Sequence, residues 1–93
     1  MSADIFEKNN IRLPTIEEVE EIDNPPVVAH FTNGLWDWYV IAGEKLDDDY
    51  RLLGLVNGDY KEMGTFTLKQ LENVSAKLIS IENISLQEVK SRI

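Results

Sequence analysis

Cysteine is absent from the 93-residue chain. Its absence removes disulfide scaffolds, thiolate nucleophiles and every thiolate-held zinc or iron–sulfur site. Histidine occurs once, as His30, so a zinc site would draw nearly all its ligands from carboxylates, which is uncommon. Cations are scarce: nine Lys and Arg stand against seventeen Asp and Glu, giving a net charge of −8 and a sequence pI near 4.5. Nucleic acid is thereby excluded as a direct ligand, because phosphate neutralisation needs clustered Lys and Arg. Apolar runs stop at four to five residues, far short of the ~20 that span a bilayer. A negative chain is also repelled by anionic leaflets. The start, Met1 to Leu13, lacks the cationic head and apolar run of an export signal. These absences predict a cytoplasmic protein without membrane contact.

What remains is ordinary for a globular domain, with 43% hydrophobic and 28% charged residues. The length predicts one domain, 1–93. Residues 1–13 have no clear period and read as a flexible arm or a marginal first turn. Thr15 with Glu18 forms a reciprocal capping pair opening a short helix through Ile16, Val19 and Ile22, and Asn24-Pro25-Pro26 ends it. From Val27 the period becomes two. Val27 to Thr32, Leu35 to Ala42, Tyr50 to Val56 and Tyr60 to Phe66 read as strands, with turns at Asn33-Gly34 and Asn57-Gly58-Asp59. The first turn reads as a two-residue hairpin. Thr67 with Gln70 caps a helix through Leu68, Leu71 and Val74; Leu78 to Ile81 reads as a short apolar strand; Ser85 with Glu88 caps a last helix through Leu86, Val89 and Ile93. The predicted class is α+β: a four-stranded antiparallel meander with helices packed on one face.

The acidity is uneven, with net charge −5 over residues 1–26, −4 over 27–66 and +1 over 67–93. Glu17, Glu18, Glu20 and Glu21 on the first helix, and Asp47, Asp48 and Asp49 in a hairpin loop, are the candidate partner-binding residues. A calcium loop is not indicated, since the spacing, the glycine and the terminal glutamate of an EF-hand are missing. No glycine-rich phosphate cradle is present. His30, Asp37 and Glu62 are the side chains that acid–base chemistry would have to use. No Gly-x-Ser-x-Gly elbow supplies a nucleophile, and His30 reads as a half-buried structural residue. Alternation predicts that Asp37 points away from Trp36 and Trp38. Trp36, Trp38 and Tyr39 form the candidate aromatic face, read first as core and second as a binding surface.

Three ordered stretches carry a likeness to a known family. They are Trp36-Asp37-Trp38-Tyr39-Val40, Gly54-Leu55-Val56-Asn57-Gly58, and Glu62-Met63-Gly64-Thr65-Phe66-Thr67-Leu68-Lys69-Gln70-Leu71-Glu72. Over residues 27–74 the chain resembles the bacterial family called domain of unknown function 2958, common on plasmids, conjugative elements and phages. Leu53 departs from the aromatic residue that the family usually carries before G-L-V. The resemblance implies a fold and a mobile-element setting, with no catalytic residues to carry over.

Taken together, the sequence predicts a small acidic, non-enzymatic module of phage or mobile-element type that binds a protein partner with a basic surface. A specific form is a nucleic-acid mimic inhibiting a host defence or DNA-binding protein. The alternative is a small-ligand-binding or regulatory module using the aromatic sheet face. No cofactor and no metal is implied.

Overall fold

A computed structural model describes residues 5–81 and 84–93. Helix α1 (Ile5–Lys8) and helix α2 (Ile16–Glu20) precede strands β1 (Pro26–Val27), β2 (Ala29–Thr32), β3 (Asp37–Lys45), β4 (Tyr50–Asn57) and β5 (Lys61–Thr67). Helix α3 (Leu68–Asn73), strands β6 (Lys77–Ser80) and β7 (Ile84–Ser85), and helix α4 (Leu86–Arg92) complete the chain. The class is α+β, as the change of period predicts. Among the described residues no helix is long and apolar enough to cross a membrane.

The sheet is broader than a four-stranded meander. Its order is β5-β4-β3-β2-β6, all antiparallel, with β1 and β7 forming a separate two-stranded pair. The short apolar run near Leu78 is the fifth strand, and it closes the sheet beside β2.

The first turn differs from a two-residue hairpin. Thr32 pairs with Asp37, leaving a four-residue loop in which the Asn33 carboxamide oxygen accepts from the Leu35 and Trp36 N–H groups at 3.0 and 2.8 Å. Asn33 thus folds the loop through its side chain, and only Gly34, at φ +93°, takes the left-handed region.

Helices cover both faces of the sheet, not one. On one face α1 and α3 pack against alternate strand residues, giving a core of Phe6, Phe31, Trp38, Val40, Leu52 and Leu71 with their neighbours. On the other, α2 and α4 deliver Val19, Leu86 and Val89 against Ile41, Ala42 and Leu55. A bulge makes the second core possible. The β3–β4 register shifts between Val40 and Ala42, so consecutive Ile41 and Ala42 both contribute to the second core. Sequence alternation cannot reveal this, because each helix is too short to display more than one or two buried residues.

Of the two readings of residues 1–13, the described part takes the second: Ile5–Lys8 is a single helical turn, packed and not an arm. Phe6 is 2% exposed and meets Tyr50 and Phe31 edge-on, with ring centroids 4.8 and 6.2 Å apart. Residues 1–4 of that expected arm lie outside the described residues. The capping pairs form as the sequence predicts for α2 and α3, where both reciprocal bonds are made. At α4, Ser85 accepts from the Glu88 N–H, but the Glu88 carboxylate turns to Arg92 instead.

Candidate functional site

The acidic residues divide into those with structural work and those without. Glu18 accepts from the Thr15 N–H at 2.9 Å and pairs with Arg12 at 3.5 Å. Those Thr15 hydrogen bonds, and then Arg12, hold its carboxyl below the ordinary glutamate range. Asp48 pairs with Lys69 at 2.9 Å, and this hydrogen bond holds its carboxyl low. The Asp49 carboxylate accepts from two backbone N–H groups, of Tyr50 at 2.7 Å and of Lys69 at 3.1 Å, fastening the β3–β4 loop to the start of α3. Glu17, Glu20, Glu21 and Asp47 are exposed and make no ion pair among the described residues.

This division has a measurable consequence. Asp49→Ala strands two amide donors and is expected to lower stability by about 1–2 kcal/mol, whereas Asp47→Ala changes it by less than ~0.5 kcal/mol. Urea unfolding of the two variants checks the contrast.

The two acidic segments approach the same end of β3. The Gly43 N–H donates to the Pro14 carbonyl at 2.9 Å, which ties the start of α2 to that strand, and the aspartate loop follows Lys45 directly. Each segment also exposes one large aliphatic residue, Ile22 after α2 and Leu46 before Asp47. Sequence reasoning placed Ile22 near the end of the first helix and left Leu46 within a polar connection. Their signal was adjacency to unpaired acids.

The aromatic face is split. Trp36 and Trp38 lie with ring centroids 6.1 Å apart, and Trp36 is so close to Gly58 that any Cβ there would strike the indole. Trp38 is buried, while Trp36 and Leu35 are exposed at the loop tip. Tyr39 belongs to the opposite face, as alternation requires, and does not join the tryptophans. Its ring stacks on His30, centroids 4.2 Å apart.

His30 and Asp37 are brought together there. A carboxylate oxygen accepts, so His30 donates through Nε2 to Asp37 Oδ1 at 2.8 Å. Asp37 points away from Trp38, as expected. Glu62 is exposed on β5, where it pairs with Val56 and shares the side of Phe66, the face opposite His30. The three acid–base candidates therefore do not converge. Burial, and secondarily the Asp37 charge, raise the Tyr39 hydroxyl above the usual tyrosine range.

Beside this trio lies a cavity of about 130 Å³ between the sheet and α4. His30, Tyr39 and Arg92 line it together with Val27, Val89 and Ile93. Among the described residues no group of three or more His, Asp or Glu side chains is arranged to hold a metal ion. Comparison with protein-family models, curated proteins and solved structures finds no match to this chain.

Proposed function

We propose that the protein is a non-enzymatic binding module that presents an acidic surface to a protein partner with a basic one. One observation carries the reading: among the described residues Glu17, Glu20, Glu21 and Asp47 are exposed and make no ion pair, while Arg12, Lys45 and Lys69 beside them are already engaged with other acids. Unpaired like charges repel one another and cost stability, so a surface that keeps them favours an opposite charge from outside. Ile22 and Leu46 supply apolar anchors within the acidic rim, the composition typical of protein interfaces. In its specific form the acidic surface occupies a nucleic-acid groove on a host defence or DNA-binding protein, in keeping with the phage or mobile-element setting that the resemblance implies. Glu18, Asp48 and Asp49 add to the field while holding the surface in shape.

The experiment is capture from host lysate by the intact chain and by a variant combining Glu17→Gln, Glu20→Gln, Glu21→Gln and Asp47→Asn. Among the described residues none of the four side chains makes an ion pair, so the variant folds at least as stably as the native chain. At about 50 mM salt the native chain retains a basic partner and the variant loses at least ~90% of it. Release of that partner by duplex DNA supports the mimic. Recovery of no protein at low salt, or equal recovery by the variant, overturns the reading.

A further inference from the structure

We propose that the cavity between the sheet and α4 is a binding site for a small monocarboxylate with a short apolar tail. The inference stands on a different surface from the acidic end and does not depend on it.

Size comes first. An engineered apolar cavity of about 150 Å³ accommodates benzene, so a cavity of about 130 Å³ suits a ligand of roughly six non-hydrogen atoms. Its lining is divided in two. The side chains of Val27, Ile84, Val89 and Ile93 offer only carbon, whereas those of His30, Tyr39, Ser80 and Arg92 carry polar groups.

The sign of the ligand follows from where the carboxylates stand. Among the described residues neither Asp nor Glu lines the cavity. The two nearby acids instead bind its polar residues from outside the lining, Asp37 taking His30 Nε2 at 2.8 Å and Glu88 taking Arg92 Nη2 at 2.7 Å. Such outer contacts fix the orientation of the groups in front of them, as carboxylates do for metal-bound histidines. Arg92 keeps four further N–H donors for a ligand. Lys61 reaches the same corner, donating to the Ile93 carbonyl at 2.6 Å. The raised Tyr39 hydroxyl stays protonated at neutral pH and is a donor there.

A guanidinium with a neighbouring phenol matches a carboxylate head group, and charge-assisted bonds of this kind are the stronger sort. The apolar half disfavours phosphate, because a second negative charge would be set against carbon with no partner. An ammonium or amine head would meet Arg92 and, among the described residues, find no acceptor acid in the lining. Affinity on the order of millimolar lies well within the ligand-efficiency ceiling for so few atoms.

The test is an amide ¹H–¹⁵N NMR titration of the full chain with sodium butyrate at constant ionic strength, with butyramide as the neutral control. The expected result is saturable shifts at His30, Tyr39, Val89 and Arg92 with butyrate, and at least tenfold weaker binding of butyramide. Arg92→Gln, at a side chain 57% exposed and so tolerant of change, is expected to weaken butyrate about tenfold. Tyr39→Phe keeps the stacked ring and gives a second reading should Arg92→Gln disturb α4. Shifts that do not saturate, equal binding of butyramide, or binding unchanged in both variants would overturn the proposal.

Discussion

Gly54→Ala is expected to destabilise the protein by more than ~3 kcal/mol, the largest single-residue effect in the sheet. Gly54 lies on β4 opposite Val40, at the point where β3 bulges between Val40 and Ala42. A Cβ added there would overlap the Tyr39 carbonyl oxygen and stand 3.0 Å from Val40 Cα. Both obstacles are backbone, so no rotamer change relieves the collision. Strand β3 would have to move, and Ile41 and Ala42, which the bulge sends into the second core, would move with it.

Gly64 is the matched control. It pairs with Gly54 across the β4–β5 ladder, yet a Cβ there meets nothing within 4 Å. Gly64→Ala is therefore expected to be neutral, or stabilising by up to ~1 kcal/mol through lost freedom of the unfolded chain. Urea denaturation of both variants measures the difference. Similar midpoints for the two would contradict the close-approach account.

Phe6→Ala is expected to cost about 3–5 kcal/mol, the usual range for deleting a buried phenylalanine ring. That is a large fraction of the ~5–15 kcal/mol that holds a typical domain together. The ring packs edge-on against Tyr50 and Phe31, joining α1 to two strands that lie far along the chain. Thermal unfolding followed by tryptophan fluorescence reads the effect directly, because Trp38 sits in the same core. A loss below ~1 kcal/mol would return residues 5–13 to the status of an arm.

Particular residues mark what was legible in the sequence. The Thr15–Glu18 and Thr67–Gln70 boxes were readable because each is a local bond pattern complete within four residues. The faces of β3 were readable as far as Ile41 because alternation is also local, and the bulge then puts Ala42 on the same side as Ile41. Phe6 was not, since a four-residue helix shows no period and its partners are 25 and 44 positions away. The Asn33 loop is longer than Asn-Gly suggested, yet His30 and Asp37 still share a face. A two-residue and a four-residue loop differ by an even number, and such a slip preserves the side of every side chain. Their meeting was therefore implicit in the pattern, although Tyr39 stacking on His30 required the true register.

The acidic positions show the same limit. Charge was countable from composition alone, but its availability was not. Asp49 looks interchangeable with Asp47 in sequence, and only the fold brings the Lys69 N–H, 20 residues on, to its carboxylate. Glu18 was readable as a cap, and so as a residue already committed. The proposed surface consequently rests on Glu17, Glu20, Glu21 and Asp47, a narrower set than the sequence alone nominates.

The most direct measurement is the association rate of the captured partner with the native chain as ionic strength rises from about 50 to about 500 mM. Electrostatic steering by unpaired carboxylates predicts a fall of roughly tenfold or more, and a much flatter dependence for the variant neutralised at those four positions. An association rate indifferent to salt, identical in the native and neutralised chains, would contradict the claim that this protein works through its acidic surface.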